Sequence, residues 1–123
     1  MTIGPPKIPK GSTVLIRFPF TDFSAEKLRP ALVLYEGYLD VTVAYITGEI
    51  PVKLLPSDLL ISPGTSSFIN AGLKEKSVLA IDKIMILDKN CVEGILGSAD
   101  DDLKRNVNMK IAQCLIFTDA PMS

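Results

Sequence analysis

Histidine and tryptophan are absent from this sequence of 123 residues, and cysteine occurs only twice. Without histidine, imidazole acid–base catalysis, Ser-His-Asp triads and histidine-containing zinc sites are all excluded. No glycine-rich GxGxxG or GxxxxGK[ST] loop is present, so the common nucleotide-binding motifs are excluded as well. The acidic run at residues 100–102 can be drawn as part of a metal site, but its position favours the start of a helix. We therefore expect neither a metal nor a cofactor.

Long apolar runs are also missing. No segment approaches the roughly 18–20 apolar residues of a membrane-spanning helix. The N-terminus lacks the apolar stretch of a secretory signal peptide, so the expected location is the cytoplasm. The two cysteines, Cys91 and Cys114, have no metal-ligand spacing and lie among apolar residues. We expect both to be reduced packing residues.

Apolar residues make up 47% of the chain and the mean hydropathy is +0.30, which is high for a soluble protein. The length indicates a single domain over residues 1–123, large enough to bury a core. In a small β-rich domain, an apolar surplus is best explained by a surface buried in an oligomer. The composition therefore predicts self-association.

The net charge of −1 is unevenly distributed along the chain. The first 35 residues carry five basic and two acidic side chains, a net +3, which leaves −4 for the remainder. Because the overall field does not attract nucleic acid, any such binding requires a local basic patch. The alternative is that the asymmetry reflects only a solvated surface.

Residues 13–34, TVLIRFPFTDFSAEKLRPALVL, predict two β-strands joined by a polar loop. Apolar side chains recur at every second position from Val14 to Phe20, which is typical of a half-buried strand. A second apolar run begins at Ala31, and Pro30 favours an extended backbone at Arg29. Arg29 is therefore expected where the loop meets a rigid strand, a position from which its guanidinium can be aimed.

The remaining pattern predicts short strands and two helical segments. The predicted elements are strands at 40–46 and 52–55, one bent strand or two over 77–87, and a helical turn at 67–71. Residues 98–117 predict a C-terminal helix capped by Ser98, and residues 1–10 an irregular lead-in. Five to seven strands with a terminal helix predict a mainly β fold, as a strongly bent sheet or small open barrel.

Arg29 is the centre of the candidate site. The other candidates are Thr21, Ser24 and Lys27 in the same loop, and Thr47 followed by Gly48 at the end of the third strand. Arginine offers a planar fork of donors that suits a phosphate, and a hydroxyl adds one more hydrogen bond. Such groups suit stabilisation of the phosphorane formed when an RNA 2′-hydroxyl attacks its own phosphate. The alternative is an ordinary surface arginine and a strand-end threonine.

Several motifs in this order resemble the MazF/PemK toxin family. They are GSTVLIRFPFTDFSAEKLRPALVL, YITGEI, SDLLIS, AGLKEKSVLAIDKIMILDK and the LG-helix ending. The resemblance covers residues 11–115, and the combination of FPFTD, RPALVL and DKI-x-x-LDK is specific. Two positions depart from the family: Ser12 stands where an acidic residue is common, and Gly48 stands where a serine is usual.

The resemblance implies an SH3-like β-barrel, a homodimer and metal-independent cleavage of single-stranded RNA, giving a 2′,3′-cyclic phosphate and a 5′-hydroxyl. It implies that Arg29 is the acid–base and charge-stabilising group and that Thr47 holds the scissile phosphate, with Thr21, Ser24, Lys27 and Gly48 at the substrate. It also implies a cognate antitoxin whose acidic segment occupies the RNA groove.

Two other functions fit the same fold. One is a non-catalytic relative that binds protein or RNA, with Gly48 marking lost activity. The other is a toxin that poisons a protein such as gyrase, although such a toxin would not need the pair formed by Arg29 and Thr47. A 2′,3′-cyclic phosphate on cut RNA distinguishes the endoribonuclease from both.

Overall fold

Six strands and two α-helices are formed by residues 4–17 and 27–117, the parts of the chain that this computed structural model describes. The strands are β1 (Ser12–Arg17), β2 (Leu28–Glu36), β3 (Asp40–Thr47), β4 (Asp58–Ile61), β5 (Ser77–Asp88) and β6 (Val92–Ser98). The helices are α1 (Ser66–Ala71) and α2 (Asp101–Cys114). The end of the first predicted strand, residues 18–20, and the loop that carries Thr21 and Ser24 lie outside the described residues. No helix in the described ranges is long and apolar enough to cross a membrane.

All six strands belong to one antiparallel sheet in the order β4-β5-β3-β2-β1-β6. The mainly β fold with a C-terminal helix is therefore confirmed. Within the described residues no ladder joins the outer strands β4 and β6, so the expected barrel is an open sheet. The single strand β5 covers the whole of 77–87 and shifts register opposite Ala44 and Tyr45, which settles the choice between one strand and two.

Apolar side chains are buried on both faces of the sheet. One cluster joins the sheet to the helical side of the domain and comprises Leu32, Ala44, Ile46, Ile61, Leu79, Ile81, Ala99, Leu103 and Val107. The other cluster lies on the opposite face and comprises Ile8, Val14, Ile16, Ala31, Val33, Val41, Val43 and Leu87. Since β2 and β3 contribute to both clusters, their side chains are buried alternately to either side. These two strands are thereby held rigidly at the centre of the sheet.

The lead-in that precedes β1 has no regular element over residues 4–11, as predicted, but it is firmly attached. The buried Lys89 ammonium donates to the Pro6 carbonyl and to Glu36 Oε2, both at 3.0 Å. The same carboxylate oxygen accepts the Ile8 backbone N–H at 2.5 Å. This N–H, followed by Lys89, holds the pKa of Glu36 below its usual value. The contacts fix Ile8 in the second cluster.

Helix α2 starts later than predicted. Its N-cap is Asp100, whose carboxylate accepts the Leu103 N–H at 2.9 Å, whereas Ser98 is the last residue of β6. The Ser66 and Ser67 hydroxyls also donate to Asp100, each at 2.7 Å, and tie α1 to α2. The Ser66 hydrogen bond is the main reason that the pKa of Asp100 is lowered. The predicted cap at Ser98 is wrong because Ser98 continues the ladder opposite Ser12.

The far end of α2 differs from the prediction as well. The helix ends at Cys114, whereas the predicted helix continued to residue 117. Cys114 and the apolar residues after it are exposed, while Cys91 packs against the second cluster. Cys114 is therefore not the buried packing residue that was expected. The buried residues of the helix, Leu103 and Val107, lie in its first two turns, and the end of the helix is exposed.

The predicted strand at 52–55 is wrong, and a strand forms instead over Asp58–Ile61. Val52, Leu54 and Leu55 are exposed and contribute to neither cluster. The Asp58 carboxylate accepts the Leu55 N–H at 2.8 Å and closes a turn there. The helical turn predicted at 67–71 is confirmed as α1.

Candidate active site

A pocket of about 670 Å³ opens beside the start of β2 and the end of β3. Four of the six predicted site residues line it, namely Lys27, Arg29, Thr47 and Gly48. The segment that leads from α1 into β5 forms another wall, with Leu73, Lys74 and Glu75. Thr21 and Ser24, the other two predicted residues, lie outside the described parts of the chain.

The pairing of β2 with β3 explains why Arg29 and Thr47 lie in the same pocket. Ala31 pairs with Tyr45 and Leu32 with Ala44 in this antiparallel ladder. The ladder ends at the pair Ala31–Tyr45, and Arg29 and Thr47 each lie two residues beyond it, at the same end of the two adjacent strands. Arg29 pairs with Ile16 of β1 and is the second residue of β2, so it lies where the loop meets the strand, as predicted.

Tyr45 supports the Arg29 side chain and was missed by the sequence reasoning. The guanidinium carbon lies 5.7 Å from the centroid of the Tyr45 ring, within the range of a cation–π contact. Tyr45 lay within the predicted strand at 40–46 and was given no role in the site; its position two residues before Thr47 is the signal that could have revealed it. Among the described residues, the ion pairs use Arg17, Lys89 and Arg105 as cations. The charge of Arg29 is therefore not paired by a described carboxylate.

The Thr47 hydroxyl is oriented by its own turn. Its oxygen accepts the Glu49 backbone N–H at 3.0 Å. Because a hydroxyl has one hydrogen to donate, accepting this bond leaves that hydrogen available to an anionic oxygen in the pocket. The side chain is half-buried, which limits the directions in which the hydroxyl can donate.

The combined geometry is suited to binding a phosphodiester. Lys27, Arg29 and Lys74 supply positive charge around the opening, and Thr47 supplies a neutral donor. A guanidinium and a hydroxyl converging on one phosphate stabilise added negative charge in a transition state. Among the described residues, no group of three potential metal ligands is present. The cations and the Thr47 hydroxyl in the pocket are groups that stabilise negative charge.

Comparison with known families gives a match over residues 10–115, to the family described as PemK-like, MazF-like toxins of type II toxin-antitoxin systems. This chain belongs to that toxin family. Members of the MazF/PemK family are known as endoribonucleases. No curated protein sequence matches the chain.

Solved MazF structures share the fold of this MazF/PemK-family chain. One, an endoribonuclease in complex with its cognate antitoxin from a mycobacterial species, aligns with a TM-score of 0.67 and 15% identity over 91% of this chain and all (100%) of that chain. The MazE-MazF structure from Deinococcus radiodurans aligns with a TM-score of 0.66 and 21% identity, over 92% and 100%. The Mycobacterium tuberculosis toxin MazF-mt6 aligns with a TM-score of 0.64 and 19% identity, over 83% of this chain and 93% of that chain. At these identities the likeness establishes the shared fold.

Gly48 is the position at which this MazF/PemK-family chain has an unusual neighbour. A Cβ atom placed on Gly48 would overlap Glu75 Oε1 and would lie 2.6 Å from Glu75 Cδ. The Glu75 carboxylate therefore occupies the space that a side chain at residue 48 would need. The sequence indicated Gly48 as a candidate site residue but not Glu75, because the two residues are far apart in the chain. The run of charged residues before β5 is the sequence feature that could have pointed to Glu75.

Proposed function

We propose that this chain is a toxin that cuts single-stranded RNA by attack of the RNA's own 2′-hydroxyl on the adjacent phosphate. The observation that carries the proposal is the convergence of Arg29 and Thr47 on one pocket. The new bond joins O2′ to phosphorus and the bond to O5′ breaks. The proton lost from the 2′-hydroxyl is balanced by one gained at O5′. The products are a 2′,3′-cyclic phosphate and a 5′-hydroxyl, formed where RNA is found, in the cytoplasm.

Arg29 and Thr47 have separate roles in this mechanism. Arg29 donates to the non-bridging oxygens, where negative charge accumulates, and serves as the acid–base group next to the leaving oxygen. Since a guanidinium is charged at ordinary pH, charge stabilisation is its larger contribution. The Thr47 hydroxyl holds the phosphate in register. Thr21, Ser24 and Lys27 are proposed to bind the flanking RNA backbone, with Gly48 in contact with the substrate.

The reaction needs no metal because the nucleophile belongs to the substrate and Arg29 supplies the positive charge. The test is cleavage of a single-stranded RNA by purified protein in EDTA, with the new ends identified by mass spectrometry. We expect discrete fragments that end in a 2′,3′-cyclic phosphate. An RNA with deoxyribose at the nucleotide that supplies the nucleophile should bind but remain uncut. Cleavage of that RNA, or activity that EDTA abolishes and magnesium or zinc restores, refutes the mechanism.

A homodimer is the proposed assembly. Tyr35, Tyr38, Leu39 and Ile86 form an exposed apolar patch, in which Tyr35 and Ile86 both pair with Thr42. Between 59% and 76% of each side chain in this patch is exposed. Such a patch is typical of a surface buried by association. Light scattering should show a dimer for the native chain and a smaller particle for Ile86→Glu, whereas a native monomer at micromolar concentration contradicts the assembly.

The proposed protein partner is an antitoxin with a flexible acidic segment that competes with RNA for the pocket. The cations Lys27, Arg29 and Lys74 at the pocket opening support this pairing. Salt screens exposed charges, so inhibition by an acidic peptide should weaken as ionic strength rises. Inhibition that is independent of salt would refute the electrostatic competition.

A non-catalytic RNA- or protein-binding relative is the second candidate. Gly48 favours it, since a hydroxyl side chain is absent next to the phosphate position and the Glu75 carboxylate occupies the space. This candidate predicts that the protein binds RNA but releases it intact under every condition tested.

A further inference from the structure

We propose that the Glu75 carboxylate recognises a guanine base beside the scissile phosphate and so contributes to the sequence preference of cleavage. The proposal rests on the endoribonuclease function proposed above. It concerns a residue that faces the same pocket as Arg29 but lies on the opposite side of Thr47.

The position of Glu75 follows from the pairing of β3 with β5. Thr47 pairs with Val78, so the segment before β5 passes the end of β3. The Ser77 hydroxyl donates to the Glu75 carbonyl at 2.8 Å and fixes the backbone there. The carboxylate then lies over Gly48, close enough that any side chain at residue 48 would displace it.

Gly48 is explained by this contact and not by its backbone conformation. The glycines with positive φ in the described ranges are Gly11, Gly64 and Gly72. Gly48 therefore has a backbone conformation that other residues also adopt. Its lack of a side chain leaves the space in which the Glu75 carboxylate lies.

The charge of Glu75 points to a base edge as its ligand. None of the ion pairs among the described residues includes Glu75, although cations line the same pocket. A carboxylate accepts hydrogen bonds and repels phosphate, so within an RNA groove its favourable partners are the N–H groups of bases. Guanine presents two adjacent donors, N1–H and the N2 amino group, which match the two carboxylate oxygens. Adenine and cytosine place a ring acceptor beside their amino group, and uracil has a single N–H between two carbonyls.

Glu75 and Arg29 enter the pocket from opposite sides of β3. β3 lies between β2, which carries Arg29, and β5, which Glu75 precedes. Two strand spacings of about 4.8 Å lie between β2 and β5, so the two backbones are about 9.5 Å apart. A phosphate bound by Arg29 and Thr47 and a base bound by Glu75 can therefore occupy the pocket together.

The experiment measures cleavage of matched RNAs that contain guanine or inosine at one position. Inosine lacks the N2 amino group and is otherwise identical to guanine. A random RNA pool first locates the positions where the native protein prefers guanine near its cut. Native protein, Glu75→Ala, Glu75→Gln and the control Asp82→Asn are then compared by kcat/KM. Asp82 is exposed on β5 and outside the pocket, so its variant changes the charge equally without touching the site.

We expect kcat/KM to fall about tenfold when inosine replaces guanine, both for the native protein and for Asp82→Asn. Both Glu75 variants should lose most of that discrimination while still cutting RNA. Gly48→Ala gives an independent test, because its Cβ must displace the carboxylate. It should reduce the guanine-to-inosine ratio in the native background but leave it unchanged in Glu75→Ala.

Each contrary outcome has a distinct meaning. If Glu75→Ala keeps the native guanine-to-inosine ratio, the inference is overturned and the proposed function stands. If folded Glu75→Ala binds RNA but no longer cuts any sequence, Glu75 acts in the reaction and the inference is again overturned. If the native protein cuts no RNA, the proposed function fails, and anisotropy with 2′-O-methyl oligonucleotides then decides the inference. Equal binding of guanine and inosine oligonucleotides, or no binding at all, overturns it.

Discussion

Replacement of Arg29 is the most direct test of the candidate site. Arg29→Lys keeps the positive charge but loses the planar fork that binds two oxygens at once, so we expect at least about a tenfold loss of kcat/KM. Arg29→Ala removes a donor to the developing charge, a change that costs about 10²–10³-fold in comparable sites. Both should be measured under single-turnover conditions on one cleavable RNA.

Loss of the contact between Arg29 and Tyr45 should lower the cleavage rate by a smaller factor. With the guanidinium carbon 5.7 Å from the ring centroid, the contact is worth about 0.5–1 kcal/mol. That corresponds to about a two- to fivefold loss of rate in Tyr45→Leu, and Tyr45→Phe should retain the ring contact. In the Arg29→Ala background, Tyr45→Leu should cause little further loss, because the cation is gone.

Circular dichroism and thermal unfolding establish that each variant is folded. Native rates in folded Arg29→Ala would refute the role of Arg29. An equal loss from Tyr45→Leu with and without Arg29 would show that Tyr45 acts through the fold and not through the guanidinium.

Three further changes test the site and its framework. Thr47→Val keeps the shape but removes the donating hydroxyl and should slow cleavage, whereas Thr47→Ser should retain much of the rate; equal rates for both would refute phosphate binding by Thr47. Asp100→Ala should lower the unfolding free energy by about 1 kcal/mol through loss of the cap, while Asp100→Asn should lose less, as measured by urea unfolding. The pKa of Glu36 is lowered in the folded state, so its stabilising contribution is complete above its ordinary value of 4.5 and is lost as pH falls below that value. Native protein should therefore lose more stability between pH 6 and pH 3 than Glu36→Gln, and parallel losses would contradict this.

Local patterns in the sequence were sufficient for the central strands. Alternating apolar residues located β3 to within one residue, because each of its faces packs on a separate apolar cluster. The motifs in the sequence assigned Arg29 and Thr47 to one candidate site. The two residues line the same pocket because they lie at the same end of the adjacent strands β2 and β3. Residues 52–55 do not form the predicted strand, because their apolar side chains are exposed and pack on neither cluster.

The sequence by itself determined the chemistry that is available, whereas the tertiary structure decided which groups meet. With no histidine, the side-chain groups available to the candidate site are those of arginine, lysine, hydroxyl and carboxylate residues. Nothing local, however, indicates that Glu75 lies over Gly48 or that Lys89 is buried against Glu36. Both contacts join segments distant in the chain, and each is brought about by strand pairing and packing across the sheet. Periodicity reports which face of a strand is apolar, but only the assembled sheet fixes which polar groups lie beyond its ends.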